Sequence, residues 1–288
     1  MTTRQPTALQ CGTHVLDLAR PRVMGIVNVT PDSFFPGGRY TDIEQALAHA
    51  RRMVADGADI VDIGGESTRP GALPVPESAE LDRVIPLIEA LAREGVLVSV
   101  DTMKPAVMRA AIAAGAAMVN DVRALRERSA LDAVATSGVA VCLMHMRGEP
   151  NTMQAEADYT DVVREVRDFL VERALTCEAA GIARNRIVLD PGFGFGKTKA
   201  HNLALVRALP VLVASGYPVL AGLSRKSTIG QITGREVADR MAGSVAAALA
   251  AVARGATIVR VHDVRETVDA LNVWRAIENA EERDQVNK

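Results

Sequence analysis

The sequence predicts an α/β protein built as a (β/α)8 TIM barrel, with a short β-hairpin ahead of it. Three observations carry that expectation. Eight short apolar or β-branched runs recur along the chain, each is followed by a polar turn and a segment of helical period, and all of them fit in the roughly 250 residues such a barrel needs. The runs are continuously apolar rather than alternating, as suits parallel strands covered by helices. An open doubly wound sheet is the alternative that the same rhythm allows.

The elements can be taken in order. Residues 8–18 alternate through Leu9, Cys11, Val15, Leu16 and Leu18, which reads as a hairpin plugging the N-terminal end of the barrel. The strands are expected at 23–29, 59–63, 96–100, 118–122, 139–144, 186–189, 219–223 and 257–261. Between them, Thr41 with Glu44 has the spacing of a capping box, and Pro105 stands where a first-turn proline is tolerated. Gly57, Gly95, Gly115, Gly138, Gly181, Gly216 and Gly255 fall where helices should end. An alanine-rich segment, 237–253, reads as a helix packed on the barrel or on a second subunit.

Composition narrows the function. Lysine and arginine number 33 against 35 acidic residues, a net charge of −2, so no global field draws the chain to nucleic acid or an anionic membrane. Any anion site must be local. Cys11, Cys142 and Cys177 have no short spacing, which argues against a disulfide framework or a cysteine zinc site and fits a reducing cytoplasm. No apolar run is long enough for a signal peptide or a membrane span, so the expectation is a protein neither exported nor membrane-embedded. No linker divides the chain, and one domain over residues 1–288 is expected.

Barrel enzymes place their sites at the C-terminal ends of the strands. Read to their ends, the strands deliver Asn28, Asp62, Asp101, Asn120, Met144 with His145, Asp190, the turn Ser224-Arg225-Lys226, and Arg260 with His262. A single aspartate there could simply cap the next helix, but all of them together point to a shared concavity. Carboxylates and an asparagine suit the edge of a flat, amide-rich heterocycle, because they accept and donate paired hydrogen bonds. Arg69, Arg225, Lys226, Arg260 and His262 form a basic set suited to phosphate or diphosphate. The stretch DPGFGFGKT, 190–198, is not a P-loop, since position 191 is proline where that motif needs glycine. It reads as a tight loop bringing Phe195 to the pocket mouth, with Lys197 either near an anion or solvated. His145 is open between pocket wall and satisfied core group. No HExxH spacing occurs among the histidines; Mg2+ bridging a diphosphate to Asn28 would need few protein ligands.

The motifs MGIVNVTPDSF (24–34), VDIGGESTRPGA (61–72), SVDTMKPAV (99–107), MVNDV (118–122), LMHM (143–146), GEPNTMQ (148–154), LDPGFGFGKT (189–198), GLSRKSTIG (222–230) and VRVHDV (259–264) resemble the dihydropteroate synthase family, in order from about residue 12 to 278. The resemblance implies a TIM barrel that condenses 6-hydroxymethyl-7,8-dihydropterin diphosphate with 4-aminobenzoate, giving 7,8-dihydropteroate and diphosphate in folate biosynthesis, and that sulfonamides mimic the amine. It implies that Asp101, Asn120, Asp190 and Lys226 hold the pterin with Asp62 and Met144, and that Asn28, Arg260 and His262 hold the diphosphate and Mg2+, with Arg69 of the basic set beside them. Phe34, Thr68, Arg69, Pro70, Phe195 and Ser227 would build the 4-aminobenzoate site. In this scheme Asp101 and Asp62 stabilise the methylene cation while Lys226, Arg260 and His262 neutralise the leaving group, with opposite charges sorted to opposite ends of the pocket. A homodimer through late helices is expected. Phe35 and Pro36 replace the serine and acidic residue usual in the first loop, which points to a stiffer loop and admits a non-catalytic pterin-binding paralogue. A pterin-dependent methyltransferase barrel is the other alternative, and it would need no diphosphate site.

Overall fold

A computed structural model describes residues 6–29, 39–67, 73–148, 153 and 157–286. The strands β1 (Ala8–Cys11) and β2 (His14–Asp17) pair antiparallel as the hairpin. Eight parallel strands follow: β3 (Arg22–Asn28), β4 (Ile60–Gly64), β5 (Val98–Asp101), β6 (Met118–Asp121), β7 (Ala140–Met144), β8 (Ile187–Asp190), β9 (Leu220–Ala221) and β10 (Ile258–Val261). Their spatial order is β8-β7-β6-β5-β4-β3-β10-β9. The ring closes where Leu189 bridges Val219, its N–H donating to the Pro218 carbonyl at 2.9 Å. Closure rules out the open doubly wound sheet. Each strand lies within two residues of its expected bounds; β9 is shortest, beginning just after Pro218, which has no N–H to give a ladder.

The helices are α1 (Arg39–Ala55), α2 (Glu77–Arg93), α3 (Pro105–Ala113), α4 (Arg128–Ala135), α5 (Val162–Ala179), α6 (Lys199–Arg207), α7 (Leu209–Val213), α8 (Ser227–Thr233), α9 (Met241–Val252) and α10 (Val264–Val286). Pro105 opens α3 as expected. Six of the seven expected helix-ending glycines take positive φ; Gly138 does not. Its carbonyl instead accepts the Gly12 N–H at 3.0 Å and ties the hairpin to the barrel. The Thr41 cap is also corrected, because α1 begins at Arg39 and Thr41 lies inside its first turn. Among the described residues no helix is long and apolar enough to cross a membrane.

Successive side chains of a strand point to opposite faces, so each barrel strand has an inward and an outward set. The outward set, including Val61, Ile63, Val98, Val100, Val141, Leu143 and Leu189, packs under the helices. The inward set begins with an apolar layer of Met24, Ile60, Leu97, Met118, Ala140, Val188, Leu220 and Ile258, against which the hairpin seats Leu9, Cys11, Leu16 and Leu18. The expected plug is therefore present. Two residues further along the same strands the inward positions are Asp62, Ser99, Asn120, Cys142, Asp190, Gly222 and Arg260, and two beyond that come Gly64, Asp101, Met144 and His262. The period of two thus lifts a polar layer directly above an apolar one.

Candidate active site

At the centre of the polar layer lies Arg260. Its Nε donates to Asp62 Oδ2 at 2.6 Å and its Nη2 to Asp101 Oδ2 at 2.7 Å, while Asn120 Nδ2 donates to Asp62 Oδ2 at 3.1 Å. Asp62 is 0% exposed, and its Oδ1 has no hydrogen-bond partner among the described residues. A buried carboxylate oxygen without a donor is costly, so this atom is an acceptor poised for a ligand N–H. Two interior positions carry no side chain. A Cβ on Gly222 would stand between Arg260 and Asp190, and one on Gly64 between Asp101 and Asn28, so the glycines leave the hollow above the layer open.

Burial raises Asp101 to about 7, with Arg260 pulling down and Asp62 pushing up. Burial alone would lower Arg260, but Asp62 and Asp101 outweigh it and hold the guanidinium above its ordinary range. Burial likewise raises Asp190, against Lys226 and the Gly192 N–H that donates to its Oδ1 at 2.7 Å. These values correct one expectation: acids and bases are not sorted to opposite ends, because buried carboxylates need a counter-cation within reach and Arg260 serves two of them.

The turn after β8 supplies the opposite wall. Lys226 is lowered to about 8 by burial, with Asp190 opposing; its Nζ donates to the Phe193 carbonyl and lies 4.6 Å from the centre of the Phe195 ring. Phe195 also packs on a cluster of Val122, Met144, Met146 and Met153, joined by Met103, which forms an adaptable apolar face beside the polar layer. Gly192 is required here: its φ is +67°, and a Cβ would run into the His145 carbonyl oxygen.

His262 lies beside Ser224, whose Oγ is 3.0 Å from the imidazole Nδ1 and accepts the His262 N–H at 3.2 Å. Arg225 departs from the expected basic set. It has φ +57°, its N–H donates to Ser244 Oγ at 2.9 Å, and its guanidinium forms a two-pronged pair with Asp263, so its charge is already matched. Of the two alternatives for Lys197, the solvated one is excluded: it is 3% exposed, and its Nζ contacts His145 Nδ1 at 3.0 Å. His145 is accordingly a satisfied core group, held down to about 3 by burial and by Lys197.

Of the residues expected at the amine site, Phe195 is half-buried beside Lys226 and Ser227 is the exposed first residue of α8. Phe34, Thr68, Arg69 and Pro70 lie outside the described residues, as do Phe35 and Pro36. Sequence reasoning missed a neighbouring ion cluster in which Lys104 Nζ binds Glu66 Oε2 at 2.6 Å, the Val75 carbonyl at 2.7 Å and buried Glu80. Its signal was present: Glu66 and Lys104 both fall inside the motifs GGEST and DTMKP.

Residues 24–262 match the family described as pterin binding enzyme. The dihydropteroate synthase of Neisseria meningitidis serogroup B is 53% identical over 275 residues, covering 93% of this chain and 96% of that one. Among solved structures, the Xanthomonas albilineans dihydropteroate synthase with 4-aminobenzoic acid superposes with a TM-score of 0.90 at 58% identity, covering 94% of this chain and 98% of that one. The Burkholderia cenocepacia dihydropteroate synthase complexed with 7,8-dihydropteroate does so at 0.89 and 53%, covering 98% and 100%.

Proposed function

The chain belongs to the pterin binding enzymes and, within them, to the dihydropteroate synthases, and from that premise we propose that it condenses 6-hydroxymethyl-7,8-dihydropterin diphosphate with 4-aminobenzoate. The products are 7,8-dihydropteroate and diphosphate. One observation carries the reading: Asp62, Asn120, Asp190 and Arg260 converge from four strands on one interior layer that includes an unpartnered, buried Asp62 oxygen. That set matches the alternating donors and acceptors of a pterin edge, and the cluster around Met144 suits its flat face.

In the reaction the bond between the pterin methylene and the diphosphate oxygen breaks, leaving positive charge on the methylene carbon. The carboxylates Asp101 and Asp62 stabilise that charge, and Lys226, Arg260 and His262 receive the negative charge of the departing diphosphate. The amine nitrogen of 4-aminobenzoate then attacks the carbon and loses a proton to solvent. An aromatic amine attacking a cation needs no strong base, so no side chain has to act as one. Phe195 and Ser227, with Phe34, Thr68, Arg69 and Pro70, frame the amine, and sulfonamides compete for that place. Asn28 offers a hard amide oxygen at the end of β3 and would hold Mg2+, which would help neutralise the leaving group.

A homodimer is supported by Ile232, Met241, Val273 and Ile277, apolar side chains 40–62% exposed on α8, α9 and α10. The three cysteines are free and buried, which supports the cytoplasm as the compartment. One sheet runs through the chain from Arg22 to Val261, which supports a single domain. Diphosphate release measured with both substrates tests the reaction. Lys226→Ala and His262→Ala should each lower it by about 100-fold or more. Unchanged release rejects the assignment, and pterin diphosphate binding without turnover in the unaltered protein identifies a non-catalytic binder.

A further inference from the structure

Lys197 is a buried amine to which the reaction gives no task, lowered to about 7 by burial with Asp190 opposing. Besides His145 Nδ1 at 3.0 Å, its ammonium reaches the His145 carbonyl at 3.2 Å and the carbonyls of Gly192 and Phe195, each at 2.9 Å. These acceptors come from two places, the end of β7 and the turn after β8. A buried ammonium is expensive unless its hydrogen bonds are satisfied, and here backbone dipoles do most of that work. A surface lysine in a glycine-rich turn would need none of them.

What the ammonium holds is the framework of the site. Gly192, whose carbonyl it binds, donates its N–H to Asp190 Oδ1 at 2.7 Å, and His145 donates its N–H to the Asp190 carbonyl at 2.9 Å. Phe195, whose carbonyl it also binds, presents its ring to Lys226 at 4.6 Å. Asn202 braces the same turn from outside, accepting the Gly194 N–H at 2.8 Å. We propose that Lys197 is a positioning residue that touches neither substrate: it clamps the turn after β8 to the end of β7 and thereby fixes the Phe195 ring and the Asp190 carboxylate for the incoming amine and pterin. The proposal rests on the synthase reading given above. It differs from a purely structural role in that the cost of losing the clamp falls on substrate recognition.

The test is steady-state kinetics of the full-length Lys197→Met protein, which keeps a stem of similar length without the charge, with each substrate varied in turn. The KM for 4-aminobenzoate should rise by roughly tenfold or more, since displacements of about 1 Å carry effects of that order, while kcat falls by less than about threefold. In a Phe195→Ala background the same substitution should no longer move the amine KM, because it acts through that ring. Lys197→Gln, which retains a donor, should give an intermediate KM and serves as the reading if Lys197→Met does not fold. Unchanged KM values with only a lower Tm, or additive effects in the Phe195→Ala background, overturn the proposal. If the unaltered protein does not condense the two substrates, the synthase reading falls and this proposal with it; if it does and the variants keep their KM values, the proposal alone falls.

Discussion

The floor and the rim of the barrel interior are made by the same eight strands, two to four residues apart, with the hairpin completing the floor, and they could hardly differ more. On the floor, Leu9, Cys11, Met24, Ile60, Met118, Val188 and Ile258 are each 0% exposed and wholly apolar. On the rim, Asp62, Asp101, Asn120, Asp190 and Arg260 crowd together with one buried oxygen unpartnered and carboxyl groups pushed upward by burial. The floor gains stability from surface removed from water, whereas the rim gives stability up to keep polar atoms where a substrate can use them. Separating the two by one or two strand periods lets one short segment serve both ends without compromise.

The contrast can be broken most severely at Arg260. Arg260→Met leaves two buried carboxylates without their cation, and should lower stability by about 3–5 kcal/mol in urea titration while reducing diphosphate release by roughly 1,000-fold. A stable, active Arg260→Met protein would show that the rim does not depend on that pairing. On the floor, Leu9→Ala should cost about 2–5 kcal/mol in the same titration, yet leave kcat/KM of the folded protein within about twofold. A large loss of kcat/KM there would mean that the hairpin reaches the chemistry.

The pH profile sharpens the contrast further. Asp101 acts as a carboxylate, so kcat/KM should rise as pH passes upward through about 7. Lys226 acts as a cation, so kcat/KM should fall as pH passes upward through about 8. Lys226→Arg should remove the alkaline limb, since arginine keeps its charge there. The smallest effect is expected at Val15, 64% exposed on the hairpin: Val15→Thr should change stability by less than about 0.5 kcal/mol, because the plug works through its inward side chains.

The strands were legible because continuous apolar runs have few other uses in a chain of this composition, and the polar residues two places on were legible as a common rim. The hairpin was legible from the alternation of Leu9, Cys11, Leu16 and Leu18. What could not be read was which charges meet. Asp62, Asp101 and Arg260 are far apart in sequence, and only the pairing of β10 with β3 brings Arg260 within hydrogen-bond distance of the two carboxylates. The burial of Lys197 was not legible because a lysine after glycines ordinarily faces water, whereas the positive φ of Gly192, Gly194 and Gly196 folds the turn back over it. Arg225 was misread for a similar reason: its left-handed backbone aims the side chain at Asp263 rather than into the hollow.

The alternation along β8 works like a reading frame of two letters. A single residue inserted between Ile187 and Leu189 would turn Leu189 into the hollow and send the carboxylate under the helices, exchanging a recognition group for a buried charge. An engineer extending this protein therefore has freedom in the stretches between strands, where an added residue shifts no frame, and none within the strands themselves.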